Sequence, residues 1–331
     1  MGHIVLPNTA LMSKTRICFL LLSFFGAKSI SAQYTDVINS NRPGKSLSAF
    51  SVGKSVFQAE GGLSGFVEKH KLLATDTNGI DADLSLRWGL FYEQLEFMFD
   101  LQYQYDAYNT PLGSENRSAL RQTVIGAKYL FYDPNKNYEE KPNLKSWKAS
   151  HKFKWREFIP AVAAYAGVNL NFDNPFTFET DPAVSPKLMV ITQNQFSGGY
   201  VFVTNIIADK VTSDFPSYGL ILTLTKGITE KWSAFIENQN YKSDYYSDAL
   251  LRGGAAYLIK ENIQLDASVT FNMKETPSVF SGGIGLSWRF DKNYKPVLIR
   301  SGKNDDKDKD KKKKKKKKRK DEVEVEKAPT K

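Results

Sequence analysis

Charged and amide side chains recur at alternate positions through one stretch of this chain: Asp81, Asp83 and Arg87, then Glu96, Asp100, Gln102 and Gln104. Lys128, Glu237, Arg252, Asp266 and Arg289 occupy the same kind of alternating position further along. A spacing of two puts such residues on one face of an extended strand. Two kinds of chemistry are open to them. Rings of charge around a wet passage set an ion or solute preference; opposite charges paired across a narrow interior satisfy one another and fill it. Arg87 beside Glu96 and Asp100 on neighbouring strands is the pair that the spacing predicts. Catalysis finds no comparable support. Beyond the N-terminal leader the chain has only His70 and His151, which fall at opposite ends of the arrangement derived below, and no nucleophile motif adjoins either. Cys18 lies in the leader, so no thiolate ligand or nucleophile is left. Two separated histidines give no metal-ligand spacing. No enzyme activity, cofactor or metal is expected.

The elements that position these side chains are legible between and beside them. Ile80, Ala82, Leu84, Leu86, Trp88 and Leu90 alternate with the first charged set, and Leu95, Phe97, Phe99, Leu101, Tyr103 and Tyr105 with the second. A period of two over about ten residues is a strand with one apolar and one wet face. At a tilt of about 45° that length spans a bilayer, with aromatics gathered near the strand ends. The same code is clear at 263–272 and 280–290. It is weaker at 56–67, 121–132, 161–172, 187–196, 200–207, 218–225, 232–239 and 250–259. The expected fold is an all-β, antiparallel up-and-down transmembrane barrel of about twelve strands in the outer membrane of a Gram-negative bacterium. An even count puts both termini in the periplasm. Connections should then alternate, with long ones outside at 68–79, 106–118, 173–186 and 208–217. Short ones should lie inside at 91–93, 197–199, 226–231 and 260–262. The segment 133–160 breaks this rule, being long where a short turn is due. It is either a periplasmic excursion packing its tryptophans on the rim or a sign that the register is wrong there.

No apolar run of about eighteen residues occurs in the body of the chain, which excludes a helical membrane protein; a barrel escapes that test because half of each strand faces inward. The N-terminus reads as a secretory signal peptide over residues 1–32, with Lys14 and Arg16 before an apolar core at 17–25 and a cut after Ala32. Met12 is an alternative start. Residues 33–54 form a periplasmic lead-in and 55–290 the barrel. Residues 291–331 form a Lys-rich tail whose like charges cannot bury a core, so disorder is expected. The formal charge of +10 belongs to the ends. Setting aside fifteen bases and eight acids from Lys303 onward, and three bases in the leader, leaves 28 of each sign in the body. Behind a signal peptide the polybasic run does not read as a nucleic-acid site. It suits anionic lipid headgroups or the cell wall, or it is a solvated tail with no target.

The last strand ends on Trp288 and Phe290, a terminal aromatic pattern that resembles the signal read by barrel-assembly machinery. Before the first strand stand Asn41-Arg42-Pro43-Gly44 and a Ser-rich segment, followed by Gln58-Ala59-Glu60. These, with 84–90, 231–237, 264–268 and 283–290 in order, resemble the meta-pathway phenol-degradation family of outer-membrane proteins over roughly residues 36–290. The resemblance implies an outer-membrane barrel often described as a transporter. It does not carry an aromatic substrate to this chain. Arg42 and Pro43, with Glu60, are candidates for a plug entering the barrel from below; equally, the segment is an extended lead-in whose Pro43 and Gly44 make a turn. The expected function is passive or facilitated passage of a small, unidentified solute through a narrow barrel embedded in outer-membrane lipid. The alternative is a structural or adhesive barrel.

Overall fold

The computed structural model describes residues 37–136, 154–172, 174–177, 181–244 and 247–291. Twelve strands follow one another: β1 (Phe57–His70), β2 (Thr75–Gly89), β3 (Leu95–Thr110), β4 (Gly113–Tyr132), β5 (Ala161–Leu170), β6 (Val184–Phe196), β7 (Tyr200–Asp209), β8 (Ser217–Gly227), β9 (Trp232–Lys242), β10 (Ser247–Lys260), β11 (Ile263–Asn272) and β12 (Ser278–Phe290). Each pairs antiparallel with its sequence neighbours, and β1 pairs with β12 to close the barrel. Closure leaves no sheet edge, the condition for backbone polar groups to sit in hydrocarbon. At the seam Phe57 stands opposite both Phe290 and Trp88, so residue 57, where β1 starts, and residue 290, where β12 stops, lie at one end, here called the terminal end.

The outward face carries the apolar alternation. Leu63, Ile80, Leu84, Ile125, Leu188, Val190, Ile206, Ile236, Val269 and Ile284 are all exposed. Trp88, Trp232 and Trp288 are exposed near the terminal end, and Tyr103, Tyr105, Phe271 and Phe280 toward the other. From Phe280 to Trp288 is nine residues counted inclusively, within the roughly nine to eleven that a tilted strand needs to cross. An apolar belt between aromatic girdles on a closed sheet is a lipid-facing surface.

Two expectations change. The long outer loops expected at 68–79 and 106–118 are mostly strand: β1 and β2 stay paired out to His70 and Thr75, and β3 and β4 out to Thr110 and Gly113. Polar side chains do not end a strand while its backbone groups still find partners. In the same region Arg121 is an extra residue in β4, since Gln102 pairs with Gln122 and Tyr103 with Leu120. This bulge reverses the inside-outside phase beyond it. Of the irregular connection 133–160, residues 137–153, with His151 and Trp147, lie outside the described residues. Its end forms a single 3₁₀ turn, Trp155–Phe158, whose Phe158 meets the Phe196 ring at 5.3 Å. Trp155 is 79% exposed, and its ring lies 6.2 Å from that of Phe158. The leader and the tail from residue 292 also lie outside the described residues.

The interior is not uniformly wet. The inner faces of β3 to β8 hold a buried apolar cluster that includes Met98, Val124, Tyr165, Met189, Ile191, Ile207 and Ile221. The expectation of a polar lumen fails on this side because something apolar fills it: Ala49 and Phe50, from the segment before β1, belong to the same cluster.

Candidate functional site

Residues 37–56 run into the barrel instead of lying beneath it. A segment with Pro43, Gly44 and serines at 40, 46, 48 and 51 makes no regular structure, so inside the barrel its amides and carbonyls need partners from the wall. Inward-facing polar side chains supply them. The Glu60 carboxylate accepts from the Asn41 and Arg42 amides, each at 3.2 Å, and from the Ser40 hydroxyl at 3.0 Å. Glu237 accepts from the Lys45 amide at 3.0 Å and the Ser46 amide at 3.2 Å. Asn205 takes both sides of Leu47, accepting from its amide at 2.6 Å and donating to its carbonyl at 3.0 Å. Gln193 accepts from the Ser48 hydroxyl and the Ala49 amide, both at 2.9 Å.

Arg42 spans the seam of the barrel, across β1 and β12. Its guanidinium is paired with Asp83 on β2 and bonds both oxygens of Asp266 on β11, at 3.2 and 3.3 Å. Gly62 and Gly285 make the room. A Cβ at either would lie 2.2 Å from a guanidinium nitrogen. Pro43, buried in the adjoining turn, holds the chain where the Arg252 guanidinium reaches its carbonyl at 3.5 Å.

Nearer the terminal end is a fully buried ionic network. Arg87 grips Glu96 through two bonds, at 2.7 and 3.1 Å, and Glu60 at 2.9 Å, and donates to the Asn39 carbonyl at 2.8 Å. Lys128 donates to the Ser48 and Phe50 carbonyls at 2.7 and 3.0 Å and lies 3.4 Å from Glu96. Glu96 also accepts from the Val52 amide at 2.9 Å. Charges taken out of water are tolerable when paired and hydrogen-bonded in this way. Arg87 pairs with Glu96 as its spacing predicts, but its second carboxylate is Glu60 and not Asp100. Asp100 stands opposite Ser85 in the β2–β3 register, one step away from the level where the Asn39 carbonyl draws Arg87.

The twelve alternating charged and amide residues therefore divide. Asp83, Arg87, Glu96, Lys128, Glu237, Arg252 and Asp266 meet the inserted segment directly. Asp81, Asp100, Gln102 and Gln104 lie on the inward phase of β2 and β3, Asp100 opposite Ser85, Gln102 opposite Asp83 and Gln104 opposite Asp81, toward the far end. There Gln104 donates to Asp106 at 2.6 Å and accepts from Arg121 at 2.8 Å, while Arg117 makes a forked pair with Asp106 at 2.8 and 2.9 Å. Arg289 turns to Asp291 at 3.0 Å near the terminal mouth. Trp288 is outward, and its ring lies 6.0 Å from that of Phe290. His70 accepts from the Leu73 amide at 3.2 Å, a turn contact. Among the described residues no group of acidic, histidine or cysteine side chains could hold a metal.

Gln193 and Asn205 escaped the sequence reading. Their signal was present: Gln193 follows Met189 and Ile191 on an inner row of β6, and Asn205 lies between Val203 and Ile207 on that of β7.

A family model described as "Putative MetA-pathway of phenol degradation" matches residues 40–290. The chain belongs to that family. The match begins at Ser40, so it takes in the inserted segment together with every strand, and the chain is an outer-membrane β-barrel. Among solved structures, the COG4313 outer membrane channel from Pseudomonas putida F1 is similar at 11% identity and a TM-score of 0.49, covering 75% of this chain and 99% of that one. The translocator domain of the autotransporter NalP from Neisseria meningitidis is similar at 10% identity and a TM-score of 0.44, covering 85% and 97%. The KdgM porin is similar at 9% identity and a TM-score of 0.41, covering 69% and 99%. No curated protein sequence matches.

Proposed function

We propose that this protein is a gated channel for small hydrophilic or amphiphilic solutes, closed by residues 37–56 and opened when that segment shifts. The observation that carries this reading is how residues 40–52 are held: the bonds described above that fasten them to the wall use side chains, while the strand ladder is complete without them. A plug fastened in this way can move while the barrel stays intact. Its departure would uncover an apolar wall on β4 to β8 facing a charged wall on β1, β2 and β11, a passage suited to amphiphiles as well as to polar solutes. Arg42, Pro43 and Glu60 are then parts of the gate. The lumen residues that touch it set the closed state, and Asp81, Gln102 and Gln104 line the far vestibule.

In this reading the terminal end faces the periplasm, residues 1–32 direct export, Trp288 and Phe290 serve assembly, and the basic tail meets anionic headgroups or the cell wall. His70 has a turn role, and no catalytic step is proposed. The packed lumen also suits the second reading, a structural or adhesive barrel with no transport. Planar-bilayer recording separates the two. Discrete openings that become more frequent when the Arg42 contacts are removed support the gate, and a silent membrane from wild type and variants alike, with the barrel correctly folded, supports the structural reading.

A further inference from the structure

Between the inserted segment and the wall, toward the terminal end, lies a half-enclosed cavity of about 350 Å³. The ends of β6, β8, β9 and β11 contribute Gln195, Thr225, Ser233, Phe235 and Gln264, and the segment contributes Phe50. The chemistry of this lining is selective. Among the described residues no carboxylate or amine borders it, and the one cation among them, Arg42, is already engaged by Asp83 and Asp266. An ion entering would give up hydration without meeting a free counter-charge. A neutral solute exchanges water for amides and hydroxyls that both donate and accept. Phe50 and Phe235 add aromatic surface for an apolar face. The volume is at the low end of the roughly 300–1,000 Å³ of ligand pockets, so the occupant is small.

We propose that this cavity is a binding station for a small, uncharged, hydroxylated solute with one apolar face, of the size of a monosaccharide. The inference rests on the channel reading, since the station stands on the path that the segment blocks. Because residues 38–44 form one side of the cavity, an occupant touches the plug itself. Solute arriving from the terminal end thus meets the gate before the far vestibule.

Binding is measured by saturation-transfer NMR on the purified full-length protein in micelles, with glucose, glucosamine and glucuronate as neutral, cationic and anionic probes. Glucose is expected to bind, with the two charged analogues about tenfold weaker. Ser233→Trp fills the cavity and abolishes the glucose signal. Gln195→Glu, which adds a carboxylate at its border, shifts preference toward glucosamine. Heat-modifiable electrophoretic mobility reports folding of each variant. Equal signals from all three probes, no signal from glucose, or a glucose signal that survives Ser233→Trp in a folded barrel would overturn the proposal. Liposome swelling with the Arg42→Ala barrel, in which the gate is loosened, keeps the two claims apart: glucose binding to the wild type without uptake through the variant retains the station and removes the channel, while uptake without saturable binding does the reverse.

Discussion

Replacing Arg42 by alanine tests the gate at the point where its electrostatics are concentrated. The guanidinium pairs with Asp83 and Asp266, whose side chains are 23% and 0% exposed. Removing one partner of a buried ion pair costs about 3–5 kcal/mol, because the remaining charge is left unpaired. Asp83 retains some water and has the Lys45 amine at 3.8 Å, which places the expected loss at the lower end, about 3 kcal/mol. That loss falls on the plugged state alone, since with the segment displaced both carboxylates are free to hydrate. At about 1.4 kcal/mol per factor of ten, the ratio of open to closed states rises roughly a hundredfold. Single-channel recording in planar bilayers reads this as opening frequency. Arg42→Lys should recover only part of the closure, because one ammonium does not fork across two carboxylates. In the Arg42→Ala background, Asp83→Asn with Asp266→Asn should close the channel partway again by removing the uncompensated charge. Unchanged opening frequency in a folded Arg42→Ala barrel would refute the reasoning, as would equal openings from the alanine and lysine variants.

Gly285→Val keeps every charge but drives a side chain into the Arg42 guanidinium; it should raise opening frequency in the same direction as Arg42→Ala with no loss of barrel stability in urea-unfolding measurements. Glu237→Ala removes the acceptor for the Lys45 and Ser46 amides. Leaving those donors unpaired costs about 1–3 kcal/mol each, and hydrogen exchange at Lys45 and Ser46 should accelerate while exchange within β9 stays slow. Phe50→Ala takes an aromatic ring out of the buried cluster, at about 3 kcal/mol or more, and should speed proteolytic clipping of the segment in folded protein. Leu84→Arg sets a charge on the outward face and should destabilise the folded barrel in vesicles by about 2–4 kcal/mol, while Ser85→Arg, on the inward phase, should not show that lipid-depth penalty.

Much of the architecture is legible along the chain because a strand between lipid and an interior must alternate, and the lipid side tolerates only apolar groups. That constraint is local, repeated twelve times and independent of the partner strand. It assigns the strand segments, the outward phase of Leu84 and Ile284, and the inward phase of Asp83, Arg87 and Glu237. The chain's order of motifs carries the family for the same reason. Loop lengths at 68–79 and 106–118 were less legible, since polarity marks departure from the bilayer and not the end of pairing.

The filling of the lumen was decided only in three dimensions. Inward-facing residues answer to whatever lies opposite them, and alternation says nothing about that partner. Met189 and Ile191 face inward because Ala49 and Phe50, more than a hundred residues earlier, complete their packing; Gly62 and Gly285 are small because Arg42 lies over both. The Arg42-Pro43 segment could be read from sequence as plug or as lead-in, and only the closed barrel brings carboxylates from β1, β2, β9 and β11 together around it. Patterning settles which side of a strand is dry against lipid, whereas closure of the barrel brings distant residues together and so determines what its interior holds.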